Sequence, residues 1–487
     1  MRRATTSLLR HSMVLTVLSL LAPMVAAQQG EVYDIVLVGG RVMDPETGLD
    51  AVRNVGINGA TIVAITAQPI SGRTVIDVGG LVVGPGFVDL HAHGQDSVSS
   101  RFQAGDGVTT ALELEGGTGN VSRWYGEREG RAIINFGATV GHPRRAVLRD
   151  TTPEGPAAVY RAATADEMNQ MSDRLRHGLD DGALGIGYGI QYVPGARREE
   201  IIQMFRVAAE YDVTNFVHVR SAGMIEPGSS AEAIQEMIAD AAITGASVHI
   251  VHIGSSGLGQ VPMLLDMIEG ARRRGLDVTT EIYPYTAAST GIRAAIFDPG
   301  WRERFDADYG DIEWVATGER LTEETFHQYR NTGGTIIAHV IPQVAVDFAV
   351  AHPLVMIASD GVPYVNGRAH PRGAGTFARV LGRYVREQHA IPLMEALRKM
   401  SLMPARRLEA AVPQMRTKGR IQVGADADIT VFDPARVIDR ATFAEPAQFS
   451  AGIVHVLVNG TLVVTDEKVI DGVFPGVGVR RPVTPIP

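Results

Sequence analysis

The chain contains no cysteine, so neither disulfide staples nor a thiolate nucleophile or metal ligand can contribute to it. Lysine is almost missing as well, confined to Lys399, Lys418 and Lys468. After residue 21 no stretch has the ~20 uninterrupted apolar residues of a membrane span. No basic surface is implied either, because the net charge is -9 and the arginines are scattered, which excludes general affinity for nucleic acid or anionic membrane. What remains is a chain of 487 residues, 45% hydrophobic and 20% charged. That is enough to bury a large core holding one large barrel or more than one structural unit.

The first residues read as a separate unit. Arg2, Arg3 and Arg10 precede the apolar stretch Met13 to Leu21, and Val25-Ala26-Ala27 supplies small residues for cleavage, the pattern of a secretory leader spanning 1–27. This predicts an exported protein, periplasmic or secreted, with no membrane span after leader removal and Gln28 as the mature start. From 28 to 83, and again from 417 to 487, short β-branched runs alternate with Gly, Asn and Asp, as in Tyr33 to Val38 and Ile453 to Val458. Half a small sheet cannot bury its own face, so a β-sandwich assembled from both termini is expected.

The middle, 84–416, alternates strand-like and helical runs. Strand candidates are Phe87 to Leu90, Thr109 to Glu115, Ile134 to Val140, Gly185 to Gly189, Asn215 to Val219, Val248 to Ile253, Val278 to Tyr283, Thr335 to Val340 and Leu354 to Ile357. Ala165 to Leu179, Arg198 to Tyr211, Ser230 to Thr244 and Met263 to Arg274 read as helices. Repeated units of this kind predict an α/β protein, a distorted (β/α)8 barrel with its chemistry at the carboxyl ends of the strands, and one candidate strand is surplus. Residues 297–331, rich in charge and holding Trp301 and Trp314, read as an insertion beside the pocket that acts as a lid.

Histidines gather at those strand ends. In Gly84-Pro-Gly-Phe-Val-Asp-Leu-His-Ala-His93, the two histidines are two residues apart and share one face of an extended strand. His218 closes a second strand, His252 a third, and Asp360 follows a late one. Four histidines and an aspartate in equivalent positions predict a metal site. Glu113 and Glu115 lie on one face of an otherwise apolar strand, where a buried carboxylate demands a cation or a proton. Glu115, nearer the strand end, is favoured as a metal ligand, with Glu113 second; pairing with an arginine such as Arg220 is the competing use for either. His249 and His339 read as structural.

The chain resembles the amidohydrolase superfamily, and within it the D-aminoacylase (N-acyl-D-amino-acid deacylase) group. The resemblance rests on the stretch ending in His91 and His93, on Gly182 to Gly195, His218-Val-Arg220, the run around His252, Tyr283 to Thr290, Ser359-Asp360-Gly361, His370-Pro-Arg372 and the tail Gly424 to Pro434. It implies the same barrel and β-sandwich. It also implies one or two metal ions, Zn²⁺ or another divalent ion, at His91, His93, Glu115, His218 and His252, the pair at the later histidines binding more tightly. A carbamylated lysine or a cysteine usually joins the metals in such proteins. Neither is available here, since all three lysines lie beyond the ligand strands.

Zinc held by His218, His252 and a carboxylate would lower the pKa of a water towards ~7 and polarise an amide carbonyl, with Asp360 as general base and then general acid. Arg372, Tyr283 and Ser289 match family positions for gripping the substrate carboxylate, and Tyr192 lines the pocket by the same resemblance. The family's lysine two residues past the ligand histidine is Gly254 here. Arg144 and Arg145 could compensate or select an acidic side chain, and His142 is open between substrate contact and local structure. The expected partner is a small N-acylated amino acid or similar amide. Alternatives are a cyclic-amide hydrolase, a D-residue dipeptidase and a non-catalytic exported metal-binding protein; oligomeric state is not legible.

Overall fold

The computed structural model describes residues 32–153 and 155–483. The leader reading, 1–27, falls outside the described residues. From the amino end come β1 (Val32–Asp44), β2 (Leu49–Asn58), β3 (Thr61–Thr66), β4 (Ser71–Asp77) and β5 (Val82–Pro85). The barrel strands are β6 (Phe87–Asp89), β7 (Val108–Thr118) and β8 (Asn135–Gly141), then, after a short surface pair β9 (Thr151–Thr152) and β10 (Gly155–Pro156), β11 (Gly185–Gly189), β12 (Thr214–His218), β13 (Ser247–Ile250) and β14 (Val278–Ile282). A small sheet follows, of β15 (Ala288–Gly291), β16 (Ile312–Trp314), β17 (Glu319–Arg320) and β18 (Thr335–Ala338), before the last barrel strand β19 (Val355–Ile357). The chain closes with β20 (Ile429–Phe432), β21 (Ile453–Val458), β22 (Thr461–Thr465) and β23 (Lys468–Val469).

Strands from the two ends of the chain form one mixed sheet in the order β23-β22-β21-β20-β5-β1-β2-β3, with β4 on β1. Backbone bonds from Ile62 N to Ala425 O (3.0 Å) and Gly424 N to Ile62 O (2.8 Å) bring β3 back towards β20. The sheet thereby encloses a core of Leu37, Val55, Ile57, Ile429, Val431 and Leu457 drawn from both ends. Beyond it, Gly476 to Val479 leave the sheet and run beside β8, with Val479 N donating to Phe136 O at 2.7 Å.

The barrel sheet is parallel, in the order β19-β14-β13-β12-β11-β8-β7-β6. Its first and last strands meet at a seam: Ser359 N donates to the Asp89 carboxylate at 2.9 Å, and Gly94 N to Gly361 O at 2.9 Å. Helices Ala165–Asp180, Arg198–Glu210, Ser230–Thr244 and Val261–Arg273 cover it, each beginning and ending within two residues of the sequence expectation. Two of them start with capping boxes, Thr164 with Glu167 and Ser229 with Glu232, which satisfy the free N–H groups of the first turn.

The surplus barrel strand is Thr335 to Val340. It is β18, paired antiparallel with β15 and β16 in the small sheet, because a four-residue apolar run has the same pattern in either setting. The insertion is also wider than 297–331, since β15 and β18 frame it and Phe297, Trp301, Phe326 and Ile336 give it a core of its own. Among the described residues no helix is long and apolar enough to cross a membrane.

Candidate metal centre

All five predicted ligands and Asp360 converge at the carboxyl ends of β6, β7, β12, β13 and β19. Three overlapping groups result, His91-His93-Glu115, Glu115-His218-His252 and His91-His252-Asp360, and Glu115 is shared by the first two. Its Oε2 lies 2.9 Å from His93 Nε2 and 3.2 Å from His91 Nε2, which are themselves 3.1 Å apart. Its Oε1 lies 2.9 Å from His218 Nδ1 and 3.9 Å from His252 Nε2, and those two nitrogens are 3.1 Å apart. Asp360 Oδ1 is 3.5 Å from both His91 Nε2 and His93 Nε2. Donors placed ~2.0–2.1 Å from a tetrahedral zinc are separated by about 3.3 Å, so both triads have the spacing of a closed ligand set. One carboxylate thus offers an oxygen to each of two metal positions, the place a carbamylated lysine or cysteine would take. Glu113, Glu115, Glu281 and Asp360 are all buried around these histidines, and only Asp360 of the four is paired with an arginine, Arg372, a balance that favours cations.

Each ligand imidazole is also held from behind. His91 Nδ1 meets Glu281 Oε1 at 2.7 Å, His93 Nδ1 meets Glu113 Oε2 at 2.9 Å, His218 Nε2 meets Gln191 Oε1 at 2.8 Å, and His252 Nδ1 meets Ser256 Oγ at 3.1 Å. Such partners fix the tautomer and leave the other nitrogen free for a metal. Glu113 therefore orients His93 rather than completing a triad, and neither glutamate pairs with Arg220, whose partner is Glu236 at 2.6 Å. Burial alone would lower His93, but the charges of Glu113 and Glu115 raise it to about 10. Burial likewise opposes ionisation of Glu115, yet the bonds from His218, His91 and His93 hold it well below the ordinary carboxylate value. Burial raises Asp360, against the pull of Arg372, His91 and His93.

Sequence reasoning missed Glu281, Gln191 and Ser256. The signal for Glu281 was present: a charged residue inside the apolar run of β14, the same argument that picked out Glu115. His249, read as structural, joins Glu281 Oε2 through Nε2 at 3.1 Å and Thr279 through Nδ1 at 2.8 Å. His339 pairs with Glu313 in the small sheet. The left-handed backbone of His252 (φ 37°) and Asp360 (φ 50°) is strain of the kind kept at functional sites.

Beside the triads lies a cavity of about 210 Å³, lined by His93, Glu115, His218, His252 and Asp360, by Tyr192, Tyr283 and Ser289, and by apolar side chains of the small sheet. Tyr283 Oη is buried there without a hydrogen-bond partner. Ser289 Oγ donates to Ile336 O at 2.9 Å. Arg372 is not in the wall: it lies behind, its Nη2 2.9 Å from Asp360 Oδ2 and its Cζ 4.4 Å from the centre of the Tyr283 ring, with no directed hydrogen bond from any guanidinium nitrogen. His142 is outside the cavity, 3.0 Å from Glu200 Oε1, and Arg144 is buried against the same glutamate.

The model of the amidohydrolase family matches residues 74–464, across the whole barrel and, of the terminal sheet, β5, β20 and β21 with parts of β4 and β22. The chain belongs to that family. Among curated amidohydrolase relatives, N-acyl-D-glutamate deacylase of Alcaligenes xylosoxydans xylosoxydans is 33% identical, covering 89% of this chain and 94% of the relative. D-aminoacylase of the same organism is 31% identical over 88% and 94%. Among solved structures, N-acyl-D-glutamate deacylase from Bordetella bronchiseptica, in complex with zinc and a phosphonate inhibitor, superposes with a TM-score of 0.80 at 30% identity, over 92% of this chain and 100% of that one. A crystal structure of D-aminoacylase superposes equally well, at 0.80 and 29% identity, with the same coverage.

Proposed function

We propose that this amidohydrolase hydrolyses the amide bond of N-acyl-D-amino acids. The observation that carries the reading is Glu115, with one carboxylate oxygen in each of two histidine triads and Asp360 against the first. Its relatives of 28–33% identity, named as deacylases of N-acyl-D-glutamate and N-acyl-D-aspartate and as D-aminoacylase, support linear N-acyl substrates of D configuration. When bound, a divalent metal such as zinc supplies Lewis acidity that polarises the carbonyl and acidifies a water. His91, His93, His218, His252 and Glu115 would hold it.

The rest of the chemistry belongs to the side chains. Asp360, its far oxygen anchored by Arg372, takes the proton of the attacking water at Oδ1 and delivers it to the departing nitrogen. The free hydroxyl of Tyr283 is a donor on the cavity wall for a substrate oxygen. The small sheet closes over the cavity as a lid and limits access of bulk water.

Chelator-sensitive release of D-amino acids, with no release from the L series, is the expected result for the metal-analysed protein. In the Asp360→Asn variant, kcat falls at least ~100-fold while metal content is retained, since proton transfer is lost and the triads are intact. Loss of metal in that variant would instead make Asp360 a ligand. The leader pattern further supports an exported enzyme, and a mature protein whose mass begins at Gln28 is the outcome expected in an extracellular or periplasmic fraction.

A further inference from the structure

His370 opens the run His370-Pro-Arg372, is fully buried, and is used by no step of the reaction. Both of its ring nitrogens are nevertheless engaged. Nε2 lies 3.0 Å from the backbone oxygen of Ala287, and Nδ1 lies 3.1 Å from the backbone nitrogen of Arg372. A carbonyl only accepts and an amide N–H only donates, so the ring carries its proton on Nε2 and leaves Nδ1 free to accept. Burial, with the charge of Arg372 beside it, holds this imidazole well below its ordinary value.

The two bonds lead to different parts of the site. Ala287 is the last residue before β15, where the chain enters the lid and Ser289 reaches the cavity. Arg372 begins the helix Arg372–Arg379, and its N–H is one of the first-turn donors that a helix cannot satisfy by itself. The guanidinium of the same residue holds Asp360 Oδ2 at 2.9 Å and lies over the Tyr283 ring. Tyr285 and Phe443 meet the His370 ring edge-on, with centroids 5.5 and 5.1 Å away. Phe443 also packs at 4.7 Å on His339, just past β18, where the chain leaves the lid. Entry to the lid and exit from it thus converge on one imidazole.

We propose that His370 is a positioning residue: through Nε2 it seats the lid over the cavity, and through Nδ1 it holds Arg372, and with it Asp360, in register for proton transfer. The proposal rests on Asp360 as general base and adds what aligns it. Small displacements at that carboxylate are costly, because a general base works only within hydrogen-bond reach of the proton it takes.

Two variants of the zinc-loaded mature protein each keep one of the bonds. In His370→Asn a side-chain oxygen stands near the place of Nδ1 and accepts from Arg372, but nothing reaches Ala287. In His370→Gln the longer side chain carries an amide N–H to the place of Nε2 and leaves the Arg372 N–H unanswered. With N-acetyl-D-amino acids, KM rises ~10-fold or more in the Asn variant while kcat stays within about threefold. In the Gln variant kcat falls ~10-fold or more while KM stays within about threefold. Amide hydrogen exchange reads the same division without turnover: residues 287–291 exchange faster in the Asn variant alone, and residues 372–376 in the Gln variant alone. Parallel changes in kcat and KM, one exchange pattern shared by both variants, or no change in either overturns the proposal, since a merely structural histidine would not separate its two nitrogens. If the parent protein cleaves no N-acetyl-D-amino acid, the deacylase reading fails and the exchange pattern alone decides whether His370 makes the tie. Should neither variant fold, Phe443→Ala, at a half-buried position, frees one edge of the ring. Faster exchange in both segments is then expected, and unchanged exchange in both overturns the proposal.

Discussion

Glu281 touches no part of the cavity, yet it decides which nitrogen of His91 is available. Its two oxygens are taken by His91 Nδ1 and His249 Nε2, and all three side chains are buried. An amide in place of the carboxylate cannot accept from both rings, so Glu281→Gln is expected to weaken zinc binding about 10–100-fold, read by competition with a chelator. The ligands themselves were legible in the sequence because histidines at i and i+2, or at the end of an apolar strand, declare their direction through the strand's own alternation. Glu281 obeys the same rule and was passed over because it has no histidine beside it in sequence. Arg372 was legible as a residue of the site but not in its placement. It begins the helix Arg372–Arg379, and whether such a side chain enters a cavity or lies behind it depends on packing that no local pattern records.

Strand β11 shows how an element can shape a site without contributing a ligand. Its run Gly185-Ile-Gly-Tyr-Gly189 leaves space beside β7, and a Cβ at Gly187 would fall 2.3 Å from Glu115 O and 2.5 Å from Leu114 O. Gly187→Ala must push the end of β7 outward. A loss of about 1–3 kcal/mol in urea unfolding is expected, accompanied by weaker metal binding, because the displaced residue is the one shared by both triads. The helices were readable to within two residues since their caps and apolar periodicity agree. The β18 run was misread as barrel because neighbours distant in sequence, β15 and β16, determine whether such a strand is parallel or antiparallel.

For the molecule as a whole, stability should depend on pH through a group far from the metal centre. Asp240, 2% exposed and with Oδ2 lacking any partner, is raised by burial and by Glu236 to about 7. In the unfolded chain it titrates near ~3.9, so between the two values the folded protein holds a proton that the unfolded chain has released. Its contribution is therefore complete only below ~3.9 and is lost progressively as pH rises from there to about 7. Urea midpoints are expected to fall between about pH 4 and pH 7, and Asp240→Asn should flatten part of that slope. The architecture at this scale followed from composition and pattern: too many βα units for anything but a large parallel sheet, and two β-rich ends that could not stand separately.

The seam between β6 and β19 joins Asp89 to Ser359, residues 270 apart. Contacts of that range close long loops and are slow to form. On the ribosome, a nascent chain carries His91, His93, Glu115, His218 and His252 long before Asp360 has been synthesised. Any metal such a fragment gathers has no proton acceptor beside it, and hydrolysis begins only after the final barrel strand has emerged and closed against the first. Onset of activity thus waits on the last barrel strand, long after the metal ligands have been made.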